Sequence, residues 1–268
     1  MTEPTVCAIM LTKDRPELAK RAVKCFRKQT YDARALLVWD TGALPLAYPE
    51  RGDNKILDVF RPSAGLTIGS LRNGAIEYAM ATRTRHPARH PFDILIHWDD
   101  DDWSHPNRIA EQVALLQASG ADCVGYNEML FWRTAIGPIE SVERLSAEDP
   151  DSFSAYVKEH DGEAWLYTGT RGGVPALGTS LCYWRKTWER HHFANETQGV
   201  EDHWLREKNV VGVSVFGSPV VHNDPRMIAR IHGGNTSNGY KLEEYVSKGS
   251  KEWQRVPQWD QRIRELLS

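Results

Sequence analysis

The first half of the chain alternates compact apolar runs with longer segments whose apolar residues recur every three or four positions. Residues 5–12, 35–39 and 92–98 are short apolar runs bounded by polar turns, which is typical of buried β-strands. The segment 16–29 begins with a proline and places its apolar side chains at helical intervals, so it predicts an amphipathic helix.

The same pattern continues towards the middle of the chain. It predicts helices at 69–83 and 106–120, with Gly120 as the C-terminal stop, and strands at 55–60 and 122–132. Strands that alternate with helices predict an α/β fold in which helices flank a mostly parallel sheet.

The second half is less regular. Residues 178–190 predict a strand followed by a helix, 199–209 a helix and 210–224 a strand, and the tail 243–267 contains a C-terminal helix. Residues 140–175 are acidic and glycine-rich without a clear period, which favours a mobile lid or an acceptor-binding loop.

Composition and charge limit the domain organisation and the partners. The 268 residues, 41% hydrophobic and 26% charged, suffice for one α/β domain with a small addition. With no repeat or linker visible, we predict a main domain over 1–240 and a helical extension over 241–268 packed on it. The net charge of -3 gives no general attraction to nucleic acid or anionic membranes, although it does not exclude nucleic acid as a partner.

The cysteines and the apolar segments indicate in which cellular compartment the protein is expected. The four cysteines form no CxxC pair, and Cys7 and Cys123 lie within apolar runs, which predicts buried thiols. This usage favours a reducing compartment, so we expect the cytoplasm. We expect no signal peptide, and no segment approaches the roughly 20 apolar residues that span a bilayer.

Four consecutive aspartates, Asp99–Asp102, follow the strand at 92–98. Adjacent carboxylates repel one another unless a cation neutralises them, and Mg²⁺ or Mn²⁺ prefers such oxygen ligands. Because alternate side chains at a strand end point to the same side, Asp99 and Asp101 are candidate metal ligands. The alternative is a solvated acidic loop, which the position directly after a buried strand disfavours.

Polar residues follow three of the predicted strands where each strand ends. These residues are Thr12 to Arg15, Asp40 and the aspartate run Asp99–Asp102. Ligands of open α/β sheets bind outside the carboxyl ends of the strands, so we expect these side chains to form one cleft.

Two further constellations are candidates for chemistry. Glu201 and Asp202 begin a predicted helix, where acids serve either as helix-capping groups or as a general base for an attacking hydroxyl. His222 or His232 is expected to complete the metal shell, although each could equally be structural. The order of elements favours His222.

Several motifs together resemble the inverting family 2 glycosyltransferases of GT-A fold. The resemblance extends over roughly residues 5–130 and, in pieces, over 176–240. The matching segments, in chain order, are the opening TVCAIMLTKDRPELAKRAVKCFRKQTYDARALLVWDTG, LRNGAIEYA, IHWDDDDWSHPNRIAEQVALL, GVEDHWL and RIHGGNTS. Leu11, Lys13 and Thr41 depart from the pattern of the family.

The resemblance implies a GT-A-like fold and a role for each matching residue. It implies a nucleoside pocket lined by Thr12, Asp40 and Arg72, with Asp100 near the ribose. It implies a DxD metal site at Asp99 and Asp101, with Asp101 the best ligand. It also implies Asp202 as the base, Glu201 as its neighbour on the acceptor side, and His232 rather than His222 as a metal ligand.

The resemblance thus predicts an Mn²⁺- or Mg²⁺-dependent glycosyltransferase that moves a sugar from a nucleotide-sugar to an acceptor hydroxyl with inversion. A UDP-sugar is the favoured donor, but Thr41 leaves the nucleobase open, and Lys13 is expected to reach a phosphate. The acceptor stays open. The alternatives are a nucleotidyltransferase of the same fold, which the glycine-free turn after residue 12 disfavours, and a non-catalytic nucleotide- or sugar-binding module.

Overall fold

A computed structural model describes most of the chain and defines its helices and strands. It covers residues 3–46, 55–60, 65–84, 91–133, 162–168, 176–207, 212–214, 224–231 and 252–267. The helices are α1 Pro16–Arg27, α2 Ile68–Thr84, α3 Arg108–Ser119, α4 Arg185–Arg190, α5 Val200–Glu207 and α6 Asp260–Leu267. The strands are β1 Val6–Thr12, β2 Arg34–Asp40, β3 Ile56–Phe60, β4 Ile94–His97, β5 Trp103–Ser104, β6 Cys123–Gly125, β7 Glu128–Arg133, β8 Glu163–Thr168, β9 Cys182–Trp184, β10 Gly212–Ser214, β11 Met227–Ile231 and β12 Trp253–Arg255.

The chain divides into two compact units. Unit 1 comprises Met1–Asn127 and Thr170–Gly217, and unit 2 comprises Glu128–Gly169 and Ser218–Ser268. The described part of the expected C-terminal extension therefore lies in unit 2. The predicted boundary at residue 240 falls outside the described residues and stays a prediction.

Unit 1 contains a seven-stranded sheet in the order β10-β6-β9-β4-β1-β2-β3. Strands β4, β1, β2 and β3 are parallel, whereas β9 runs antiparallel to both of its neighbours. This mixed, mostly parallel sheet with flanking helices confirms the predicted fold class.

The central strands of unit 1 are apolar throughout because both faces of the sheet are covered. Cys7 and Ile9 pack in one core layer together with side chains of α2 and α5, while Ala8 and Met10 pack in the opposite layer with α1 and α3. Helix α1 buries Ala22, Val23 and Phe26, as the apolar spacing predicts, together with Ala19, whereas the expected Leu18 is only partly buried. Periodicity therefore specified both the elements and the faces that they bury.

The strand register sets the position of the polar strand ends. Thr12, the last residue of β1, is paired with Asp40, the last residue of β2. Ile9 is paired with His97, the last residue of β4, so the aspartate run begins just beyond this edge. The side chains that follow β1, β2 and β4 therefore share one edge of the sheet.

Unit 2 contains strands in the order β12-β8-β7-β11. Its core includes an aromatic cluster in which the rings of Phe131 and Tyr167 each lie within 5 Å of the Trp253 ring, at centroid distances of 4.8 and 4.9 Å. The α6 residue Asp260 accepts a hydrogen bond of 2.9 Å from the Ala164 amide and pairs with Arg255, which fastens this helix to the strands.

Some elements differ from the sequence predictions. The single strand region expected at 122–132 is two strands, β6 and β7, in different units. Within the loop expected over 140–175, Glu163–Thr168 is the strand β8, and the other described residue is Gly162. Thus 163–168 is ordered sheet and not part of a lid, because β8 pairs with β7 and β12 and buries Ala164, Leu166 and Tyr167. The remainder of 140–175 lies outside the described residues.

Candidate functional site

The aspartate run lies against the end of β1 and the turn that follows it. The Thr12 hydroxyl donates a hydrogen bond of 2.7 Å to Oδ2 of Asp100. Arg15 contacts two carboxylates, with Nη2 at 2.8 Å from Oδ1 of Asp100 and Nη1 at 3.2 Å from Oδ2 of Asp101. The sequence-predicted cleft residues at the ends of β1 and β4 are therefore in direct contact.

The Asp40 carboxylate holds the loop that follows β2. Its Oδ1 accepts a hydrogen bond from the Gly42 amide and its Oδ2 one from the Leu46 amide, both at 2.9 Å. The neighbouring Thr41 is buried and donates from its backbone amide and its hydroxyl to the carbonyl of Thr12. Asp40 thus shapes the loop beside the cleft, and its role in binding a nucleoside stays a prediction.

A buried arginine joins the aspartate run to helix α5. Arg72 on α2 donates from Nε to Glu201 at 2.5 Å and from Nη2 to Asp99 at 3.4 Å. Its side chain is 7% exposed, and the two carboxylates raise its pKa although burial opposes the charge. Arg72 therefore links the predicted metal-binding run to the predicted catalytic helix, a position that the sequence did not reveal.

The short 3-10 helix Gly178–Ser180 borders the site on another side. The Thr179 hydroxyl donates a hydrogen bond to Asp102. A Cβ added at Gly178 would lie 2.8 Å from Cβ of Glu201, so this glycine permits close approach of the segment to α5. Sequence reasoning assigned no site role to Gly178 or Thr179.

The buried histidine His97 holds the 3-10 helix Gly178–Ser180 in place. His97 places Nδ1 at 2.8 Å from the Gly178 carbonyl and Nε2 at 3.2 Å from the Tyr183 hydroxyl. Because a carbonyl only accepts, Nδ1 carries the proton and the tyrosine donates to Nε2. Burial lowers the pKa of His97 well below its ordinary value, and Arg72 adds to this, so the ring is neutral. A polar residue inside the apolar run at 92–98 was the available sequence signal.

Arg108 is a fully buried cation beneath the acidic run. It donates to Ser104, Gln112 and the carbonyls of His97 and Thr179 at distances of 2.9 to 3.2 Å. Burial lowers its pKa, while the charges of nearby acids oppose this effect. Arg108 ties the start of α3 to the end of β4 and to the 3-10 helix, which fixes the floor of the site.

The surroundings of Asp100 shift the pKa of its carboxyl group. Its pKa is raised to about 7, chiefly by burial and also by the neighbouring carboxylates of Asp101 and Asp99, while Arg15 and the Thr12 hydrogen bond favour the charged form. The charged form of Asp100 therefore depends on its cationic neighbour Arg15.

The remaining predicted site residues have different positions. Asp202 is the third residue of α5 and is partly exposed, and Lys13 is exposed in the turn after β1. His222 and His232 lie outside the described residues, so the choice between them stays a prediction.

The donor set suits a hard divalent cation. Within the described residues no three His, Cys, Asp or Glu side chains are arranged around one point. Asp99 and Asp101 nevertheless provide oxygen donors on the cleft edge, which Mg²⁺ and Mn²⁺ prefer, and they retain exposed fractions of 31% and 10%. Their oxygens are of the kind that such an ion prefers, and a metal site at these two residues stays a prediction.

The sequence matches no family model and no curated protein. Solved structures with similar folds do exist. The alignment with the TarS protein of S. aureus covers 85% of this chain and 37% of the TarS chain, at 12% identity and a TM-score of 0.52. A second similar structure is that of the mannosyltransferase PcManGT from Pyrobaculum calidifontis, solved with GDP-Man and Mn²⁺. Its alignment covers 99% of this chain and 68% of the PcManGT chain, at 12% identity and a TM-score of 0.51.

The chain has a glycosyltransferase fold of GT-A-like type. The chain spans little more than a third of the TarS chain. At this identity the fold alone is the shared property. Among the helices that the structure describes, none has the length and apolarity of a membrane span.

Proposed function

We propose that this chain is a metal-dependent, inverting glycosyltransferase of family 2 that uses a nucleoside-diphosphate sugar. The observation that most supports this proposal is the linkage through Arg72, which contacts both Asp99 of the acidic run and Glu201 of α5. A metal-binding run and a helix bearing a candidate base are needed side by side for a sugar transfer, because donor and acceptor must meet in one cleft.

In this proposal Asp99 and Asp101, together with His222 or His232, hold Mn²⁺ or Mg²⁺. The ion, when bound, offsets the negative charge that develops on the departing nucleoside diphosphate. Asp40, Thr12 and Asp100 line the side of the nucleoside and ribose, and Lys13 reaches a phosphate. A UDP-sugar remains the favoured donor, while PcManGT, a fold neighbour, was solved with GDP-Man.

The proposed proton acceptor is Asp202. It takes the proton of the acceptor hydroxyl while the oxygen attacks the anomeric carbon from the face opposite the leaving group. The Nε of Arg72 lies 2.5 Å from Oε1 of Glu201, and this contact holds α5 beside the acidic run. Direct displacement of this kind inverts the configuration at the anomeric carbon.

Calorimetric titration tests the donor side of this proposal. UDP, GDP, TDP and their sugar conjugates are added to the native chain with Mn²⁺ and then with chelator. One nucleotide is expected to bind tightly with metal, and Asp101→Asn is expected to abolish that binding. Asp32→Asn, which removes a carboxylate that is 92% exposed, serves as the matched control and binds as the native chain does. Failure of every nucleotide to bind refutes the proposal.

Turnover tests the catalytic side. With the donor identified, slow transfer of its sugar to water is followed by NMR, which also reports the anomeric configuration of the product. Asp202→Asn is expected to bind the donor normally but to lose transfer by about 100-fold or more, the usual contribution of a general base. Metal-dependent binding without any transfer would instead favour the non-catalytic binding module. Release of pyrophosphate when the chain is given a nucleoside triphosphate and a sugar phosphate would favour a nucleotidyltransferase.

A further inference from the structure

Arg15 occupies the place where a cation is needed between two neighbouring carboxylates. Its two terminal nitrogens contact different aspartates, Asp100 at 2.8 Å and Asp101 at 3.2 Å. A guanidinium stays charged at all accessible pH values, so this positive charge is permanent. One fixed charge thus neutralises part of the acidic run without any bound ion.

The two contacts of Arg15 differ in their surroundings. Asp100 is 1% exposed, and its second oxygen accepts the Thr12 hydroxyl, so loss of its contact with Arg15 would leave a buried carboxylate without its cation. Asp101 is 10% exposed, and the Arg15 side chain is 30% exposed. The contact with Asp101 is longer and closer to solvent, so it is the contact that Arg15 can give up to another ligand.

The backbone before Arg15 directs this side chain. Asp14 has a φ of +52°, and among the described residues it is the only non-glycine with a positive φ. Its Oδ1 accepts a hydrogen bond of 2.6 Å from the Ala43 amide, and a Cβ at Gly42 would lie 2.7 Å from that oxygen. A strained conformation of this kind persists only where surrounding contacts enforce it. The turn is therefore fixed by the loop after β2, and with it the backbone position from which the Arg15 side chain extends.

We propose that Arg15 competes with the divalent cation for Asp101 and then turns its released nitrogen to a phosphate of the bound nucleotide. This inference rests on the proposed function and deepens it. Without nucleotide, Arg15 repels the ion and occupies one of its ligands. With nucleotide, the phosphates offset the guanidinium charge and accept the released N–H groups. Arg15 thereby makes metal binding depend on the donor.

Such a dependence is a coupling between two ligands and is reciprocal. If nucleotide strengthens metal binding by some factor, metal strengthens nucleotide binding by the same factor. Removal of Arg15 is expected to change this factor, and not merely the overall stability. A residue that only supports the structure would not tighten the binding of a cation when it is lost.

The test measures Mn²⁺ affinity at one near-neutral pH, by electron paramagnetic resonance and calorimetry, with and without UDP or GDP. Arg15→Gln is expected to bind Mn²⁺ alone roughly tenfold more tightly, because a partly screened repulsion and a competing contact are lost. The gain in Mn²⁺ affinity that nucleotide provides is expected to shrink by at least the same factor. Arg15→Lys, which keeps the charge but not two directed contacts, is expected to be intermediate.

Arg21→Gln is the matched control, because it removes an equal charge from an exposed position on α1. It is expected to bind Mn²⁺ as the native chain does. Unchanged or weaker Mn²⁺ binding by both Arg15 variants overturns the inference while leaving the proposed function intact, provided that the native chain binds metal and nucleotide. If the native chain binds neither, the proposed function fails together with the inference. The melting temperature of each variant verifies that it is folded.

Discussion

Arg72 is the cation on which the contact between the acidic run and α5 depends. Replacement of Arg72 by Gln leaves Glu201, 15% exposed, and Asp99 without their shared partner. Removing one partner of a largely buried ion pair leaves the other charge uncompensated, so we expect the free energy of unfolding to fall by about 3 kcal/mol. Denaturant titration measures this change.

The control for that experiment is Lys20→Gln. Lys20 pairs with Glu17 on the exposed face of α1, and such pairs contribute less than about 1 kcal/mol. Equal destabilisation by the two substitutions would show that Arg72 does not have the role that its contacts suggest.

The cysteine thiols are expected to fall into two reactivity classes. Cys123 and Cys182 are fully buried, and burial raises the pKa of Cys182 to about 12 and that of Cys123 well above its usual range. The thiolate is the reactive form, so both should react with a disulfide reagent at mildly alkaline pH only after unfolding. Cys25 on α1 is partly exposed and should react first. A Cys25→Ser variant that keeps a fast-reacting thiol would contradict this assignment.

At the scale of elements, the contact between the 3-10 helix Gly178–Ser180 and α5 depends on a missing side chain. Gly178→Ala places a methyl group 2.8 Å from Cβ and 3.0 Å from Cγ of Glu201. Because Cβ cannot rotate away, one element must move, and we expect a loss of roughly 1–3 kcal/mol of stability and weaker nucleotide binding. Thermal melting and calorimetry measure the two effects.

Gly74→Ala is the matched control for Gly178→Ala. Gly74 lies within α2, and its added Cβ would meet Trp39 at 3.9 Å, an ordinary contact. Alanine is favoured over glycine within a helix, so this variant should be as stable as the native chain or more stable by about 0.5–1 kcal/mol. If Gly178→Ala behaves in the same way, the close approach to α5 is not needed.

At the scale of the whole molecule, the proposed ligands should stabilise the folded chain. Ligand at 100 times its dissociation constant adds about 2.7 kcal/mol of stability. For a chain of this size, Mn²⁺ with the matching nucleotide should therefore raise the melting temperature by roughly 5–10 °C. Chelator should reverse the rise, and Asp101→Asn should not show it. A rise that persists in chelator would indicate nucleotide binding without metal.

The elements of the two units follow from the sequence to different degrees. Strands β1, β2 and β4 and helices α1 and α3 were predictable because each has a strong apolar run or a clear helical period. Strands β8, β11 and β12 were not, because polar residues interrupt their apolar ones. Their pairing in the sheet of unit 2, rather than their own pattern, makes them strands.

The sequence by itself determined the α/β class, the acidic run after a buried strand, and the meeting of Thr12 with this run at the sheet edge. These features depend on local periodicity and on the rule that parallel strands present their carboxyl ends together. Only the tertiary structure decided that Arg15 contacts Asp100 and Asp101 and that Arg72 contacts Asp99 and Glu201. Arg15 and Asp101 are 86 positions apart and Arg72 and Glu201 are 129 positions apart, and packing selects such partners, which no local pattern encodes.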